Sequence, residues 1–302
     1  MKQDAIKLFY LTSRNLKLYF KDKMVFLVSL ITPMILLVLF ITFLKRTYEA
    51  SIIETIGSFT LSNELLNAFS GGWLFSSVLS TSCVTVSFCS GMMTLDKVSG
   101  ADIDFKVMPI KKSIVTFSYV FANYLATLIV CFILLIIGFI YLGIVGFYLS
   151  FVDILIVIAN ILLTSLFSTI IANIIWTFTK TQGVVSGICT LLSALYGFIC
   201  GAYMPINSMG EGLAKFTSFL PGTYSTVIFR KGFLNNVLSE MKETLPEEMV
   251  NGIANGFDVN YSFFKHDISL WMMFLISIIS VVIACIALLL VTYLKDKTKL
   301  KR

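Results

Sequence analysis

Charge is scarce in this chain, and it is missing altogether from six long stretches. Lys, Arg, Asp and Glu make up 13% of the 302 residues, about half the share of an ordinary soluble domain. None of them falls within 24–44, 65–95, 113–152, 154–179, 181–210 or 268–294. Each stretch can supply a membrane-crossing helix, which needs about 20 apolar residues. The emptiness also excludes something. Carriers driven by ion gradients keep paired acids or bases at membrane depth, and these stretches hold none. If the chain moves a solute, the energy enters from outside the membrane.

Histidine is almost absent too. His266 is the only one, which excludes most histidine-based triads and metal clusters. The six cysteines (83, 89, 131, 189, 200 and 285) all lie in apolar runs and show no metal-ligand spacing. They read as small buried hydrophobes rather than a disulfide framework. No GxxxxGK[ST], HExxH or GxSxG occurs, so the chain has no P-loop of its own and no catalytic set. It reads as a non-enzyme that binds no cofactor or metal itself. The first apolar run starts at Met24, behind a basic segment, and continues through Pro33 without a small-residue cleavage pattern. It reads as a retained span rather than a removed signal.

What is present is apolar: 57% of residues, with a mean hydropathy of +0.90. The fold expected is an all-α, polytopic membrane protein of six transmembrane helices, at 24–44, 73–95, 113–141, 153–178, 183–204 and 269–294. Residues 1–23 precede this 24–302 unit as an amphipathic interfacial helix, and 205–268 form a long external segment. Gly138, Gly143 and Gly146 end the third span in a turn, and Asp153 marks a membrane boundary.

Loop charge sets the orientation. The two ends and the segments after spans two and four carry 16 basic residues, against 7 on the other side. Both termini are therefore expected in the cytoplasm.

Several segments are not spans. In 2–23, Ile6, Phe9, Tyr10, Leu16, Tyr19 and Phe20 share one helical face, and Lys7, Arg14, Lys17 and Lys21 another. Such a helix lies in the headgroup layer, as an anchor or also as a docking element. Residues 96–112 carry both signs of charge; Ser99-Gly100 can start a short helix there, and Pro109 stops it. They read as a docking element or as a solvated connector. In the external segment, Leu213, Phe216 and Leu220 fit a short interfacial helix or a re-entrant hairpin. Thr244-Leu-Pro-Glu247 matches a capping box.

The fifth span carries a register of small residues, Gly183, Gly187, Thr190, Ala194, Gly197 and Gly201. Small residues let helix backbones approach closely in lipid, within the chain, between two copies or along a pathway wall. Asn123, Asn160 and Asn173 either bridge helices or line a wet path.

Three patterns in order carry a resemblance. The first is the basic N-terminal helix ending Tyr19-Phe-Lys-Asp-Lys23 before a span with Pro33. The second is Asp96-Lys-Val-Ser-Gly100, followed by Phe105 and Pro109-Ile110. The third is Gly201-Ala-Tyr-Met-Pro-Ile206, then Leu220-Pro-Gly-Thr-Tyr224, then Arg230. Together with the six-span layout, they resemble the type-2 ABC exporter permeases over nearly the whole chain. The chain departs from the family's usual Arg and Glu beside the second pattern's glycine, carrying Asp96, Lys97 and Ser99.

The resemblance implies a permease subunit of an ATP-driven exporter in a bacterial plasma membrane. It would pair with a second permease, identical or homologous, and with two ATPase subunits that hold ATP and Mg. No nucleic acid is involved. The resemblance makes Asp96, Lys97, Gly100, Phe105 and Pro109 the ATPase-coupling candidates. Gly183, Gly187, Ala194, Gly197 and Gly201 are packing or dimer candidates. Phe75, Phe88, Leu191, Leu195 and Phe198 are candidates to line a pathway for a hydrophobic or amphipathic drug, lipid or peptide, in resistance or self-immunity. The alternatives are a gradient-driven carrier or channel, which would need coupling acids or an internal repeat, and a non-transporting immunity or scaffold protein.

Overall fold

A computed structural model describes residues 2–263 and 266–299. Among them the chain is helical almost throughout. The helices are α1 (Lys2–Lys21), α2 (Lys23–Leu39), α3 (Lys45–Ile56), α4 (Asn63–Cys89), α5 (Met92–Ser99), α6 (Ala101–Val107), α7 (Lys112–Val145), α8 (Phe151–Phe178), α9 (Gln182–Ile199), α10 (Glu211–Thr217), α11 (Pro221–Thr244), α12 (Glu247–Gly256) and α13 (Leu270–Lys299). Strands β1 (Ser262–Phe263) and β2 (His266–Asp267) pair antiparallel.

Six stretches among the described residues are long and apolar enough to cross a membrane: Ser29–Ile56, Asn63–Ser99, Lys112–Val145, Phe151–Phe178, Gln182–Ile199 and Leu270–Leu294. The first joins α2 to α3 through a π-helical turn, Phe40–Leu44, a local underwinding that inserts one residue without breaking the helix.

The bundle is built around α4. Of its most apolar window 94% is buried, against 17% for α9 and 22% for α13, so α4 is the axis and the other two face outward. α4 can sit there because it is lined with small and hydroxyl side chains. Ser76, Thr81, Ser82, Thr85 and Ser87 donate back to carbonyls of their own helix, which satisfies them without a solvent partner. Ser62 caps the helix by accepting from the Leu65 N–H at 3.2 Å.

The short helix expected around Leu213 and Phe216 is α10; beyond it, against α4, lies α11, a 24-residue helix that the sequence does not suggest. Pro221 opens it in the first turn. The two helices approach closely at Gly72, where an added Cβ would stand 2.9 Å from Leu234 Cδ2. Their hydroxyls meet at Ser80 and Thr226, 2.6 Å apart. On its other side α11 meets α8 through Thr164 and Ser225, 2.6 Å apart, and through Asn160, whose amide donates to the Ser225 carbonyl at 2.9 Å. Asn123 likewise bridges α7 to the Ser87 carbonyl of α4 at 2.9 Å. Asn173 instead donates to Thr169 O in its own helix.

Two local expectations resolve differently. Asp153, expected at a membrane boundary, completes a capping box with Ser150 and starts α8. The box expected at Thr244 does not form. Its hydroxyl donates back to the Met241 carbonyl, and Pro246 stands at the start of α12. A side chain still occupied by the preceding helix cannot cap the next.

α1 and the second half of α13 lie at one end of the bundle. Asn15 of α1 reaches Ser118 near the start of α7, and Leu288 of α13 packs with Val120 and Ile170 in the same region. This is the terminal end. The opposite loop end holds α12 and the β-hairpin.

Candidate functional site

The terminal end gathers the charged segments. α4 breaks at Gly91, whose φ of +47° lies in the left-handed region, where glycine carries no Cβ penalty. Gly100, at φ +81°, separates α5 from α6 in the same way. These two turns fold the chain back across the base of the bundle.

Asp96 is the centre of the arrangement. Its carboxylate is buried and accepts from both guanidinium nitrogens of Arg14, at 2.5 and 3.0 Å, and from the Tyr119 hydroxyl at 2.5 Å. One acid thereby ties α1, α5 and α7 together by charge-assisted bonds, the strongest class of protein hydrogen bond. Chiefly through its hydrogen bond to Asp96, the Arg14 guanidinium is held above its ordinary pKa. The Arg14 guanidinium carbon also stands 5.2 Å from the centre of the Phe105 ring on α6, a cation–π distance. Lys7 donates to the Pro109 carbonyl at 3.1 Å, and Lys111 to Asp4 at 3.2 Å.

Lys97 points the other way. Its ammonium donates to the carbonyls of Trp176, Thr177 and Thr179, at 2.5, 3.1 and 2.9 Å. These are end carbonyls of α8, which have no partner inside the helix, and a cation there also meets the negative end of the helix dipole. Thr94 and Thr179, 2.7 Å apart, add a second tie.

The coupling candidates therefore come together. Asp96, Phe105 and Pro109 contact α1, Lys97 grips α8, and Gly100 supplies the turn between them. Arg14, Tyr119 and Lys7 complete the cluster, and sequence spacing does not reveal them because they lie on other helices. On the outer side of the same elements Val98, Ile103, Val107 and Met108 are exposed.

The stripe on α9 divides in two. An added Cβ at Gly183 or Gly187 would meet no other atom within 4 Å, and Ala194 is exposed. Gly197, by contrast, is covered by the Tyr203 ring and Gly201 by Ile206. The pathway candidates divide as well. Leu191, Leu195 and Phe198 are exposed on α9, whereas Phe75 and Phe88 are buried inside the bundle. They do not share a surface.

At the loop end, Arg230 draws the third sequence pattern together. It is wholly buried, pairs with Asp258 at 2.9 Å and donates to the Gly201 carbonyl. Its guanidinium carbon lies 4.7 Å from the Trp73 ring centre. Asp258 also accepts from the Ile206 N–H. Asp258 is the partner that sequence reading misses, since nothing in its local pattern sets it apart.

Among the described residues no cluster of His, Cys, Asp or Glu is placed to hold a metal. No curated protein matches the chain. Residues 6–234 match the model of the ABC-2 type transporter family, and the chain belongs to that family as the membrane permease subunit of an ABC transporter.

Proposed function

We propose that this chain is half of the membrane channel of an ATP-driven exporter, worked by two separate ATPase subunits that dock at the terminal end. The observation that carries the proposal is the Asp96 cluster. It joins α1, α5, α6 and the α7 start into one piece, and Lys97 fixes that piece to α8. A push on such an element is delivered at once to α7 and α8, and through the Gly91 turn to α4. The exposed Val98, Ile103, Val107 and Met108 supply the apolar contact, and the surrounding lysines the charged rim, of a protein interface. ATP and Mg belong to the ATPase subunits. The loop charges support a cytoplasmic terminal end in a plasma membrane.

A second permease, identical or homologous, would cover the face of α9 at Gly183, Gly187 and Ala194. Beside that face, Leu191, Leu195 and Phe198 would offer an apolar path for a hydrophobic or amphipathic cargo, a drug, a lipid or a peptide. Phe75 and Phe88 reach that path only if the helices move. Resistance or self-immunity is the role such a cargo suggests.

The test is affinity capture of the tagged full chain from native membranes, followed by ATP-dependent transport in proteoliposomes. An ATPase subunit should copurify, and transport should need it. Transport without ATP or a partner would replace this reading with a carrier or channel.

A further inference from the structure

A cavity of about 310 Å3 opens at the loop end, between α11, α12 and the first residues of α8 and α13. Lys231, Asn235 and Lys242 line it from one face of α11, Asn251 and Asn260 from the α12 side, and Asp153 from α8.

Its other charged groups already have bonded partners. Lys242 pairs with Glu247 at 2.9 Å in solvent. The Asp153 carboxylate accepts from the N–H and hydroxyl of Ser150, at 3.0 and 2.7 Å. Asp267, on the exposed hairpin, attracts Lys231 without bonding to it. Lys231 is what remains. It is half-buried, and burial pulls its ammonium below the usual lysine pKa. A cation withdrawn from water with no bonded partner among the described residues is costly, so Lys231 is open to an anionic ligand.

Its position narrows the choice. α8 and α13 both begin here, and both are candidate spans. Their first residues expose Phe151, Val152, Trp271 and Met272. An aromatic and apolar rim at the ends of spanning helices is characteristic of the headgroup level. A soluble anion gains nothing from that rim, whereas a lipid uses both parts of the site.

We infer that this cavity binds the phosphate of an anionic phospholipid from the leaflet at the loop end. Lys231 is the counter-ion, the amides of Asn235, Asn251 and Asn260 are donors, and Phe151 and Trp271 border the acyl chains.

The test uses the full chain in nanodiscs of phosphatidylcholine with and without phosphatidylglycerol, reading retained phosphatidylglycerol by native mass spectrometry. The lysines of α1 attract anionic lipid as well, so the decisive quantity is the difference between wild type and Lys231→Gln. That variant should bind phosphatidylglycerol about tenfold more weakly, the loss of one charge-assisted bond. Lys231→Arg and Lys242→Gln should retain it. The inference fails if Lys231→Gln, melting as the wild type does, keeps its phosphatidylglycerol. It also fails if only inorganic phosphate or an acidic peptide shows the dependence on Lys231.

Discussion

The Arg230 guanidinium and the Asp258 carboxylate stand 2.9 Å apart with both side chains fully removed from solvent. Burial draws the arginine pKa down while Asp258 holds it charged. The pair connects α11 to the turn after α12, and Arg230 continues to Gly201 at the end of α9. Removing one member leaves a buried charge uncompensated, at a cost of about 3–5 kcal/mol. Asp258→Ala is expected to lower the melting temperature in detergent sharply. Arg230→Met combined with Asp258→Leu should recover much of the loss, because the double change strands no charge. A single variant as stable as the wild type would mean that the pair does not hold this end together.

Asp96 carries a different prediction, because its partner Arg14 is partly exposed. The bidentate contact is worth about 1–2 kcal/mol after solvent screening, too little for its loss to unfold a six-helix bundle. Asp96→Ala should still insert into the membrane at wild-type levels while the captured ATPase falls severalfold. The exchange Arg14→Asp with Asp96→Arg should restore part of it. Unchanged capture by Asp96→Ala would remove the cluster from the docking site.

The spans were legible in the sequence because a membrane helix announces itself by what it omits. The breaks at Gly91 and Gly100 have a local cause, and Gly100 with Pro109 could be read directly. α11 was not legible as a buried element. It carries Arg230, Lys231, Asn235 and Asn236, which spoil any hydropathy window. Its burial depends on Asp258 and on the hydroxyls of α4 and α8, all distant in sequence. The α9 stripe was visible as a pattern, but its division was not. Whether a glycine is covered depends on where Tyr203 and Ile206 return.

Lys97 separates attachment from transmission. Lys97→Met leaves end carbonyls of α8 without their ammonium partner, a loss of about 1–3 kcal/mol, while Arg14 and Asp96 stay in place. The variant should capture ATPase normally and hydrolyse ATP, yet export less cargo per ATP. Lys97→Arg should retain more of the coupling, since it keeps the charge at the helix end. Equal loss of capture and export would show instead that Lys97 serves docking.

The division of the α9 stripe yields a test of pairing. Gly187 and Ala194 share the open part of the helix surface, and small residues favour close helix approach in lipid. Cysteines placed there should join two copies on mild oxidation if the permeases pair as identical subunits through α9. Five of the six native cysteines are buried, so background joining should be low. Ile283 on α13 is the control: it is 62% exposed but sits on a helix whose outward face is bulky and aliphatic, as suits lipid contact. Ile283→Cys should give little dimer. Gly197→Cys should cost stability instead, because the Tyr203 ring occupies the space its side chain needs. Strong joining at Ile283 with none at Gly187 or Ala194 would move the interface to α13. Joining at none of them, with ATPase-dependent export intact, would point to a homologous rather than an identical partner.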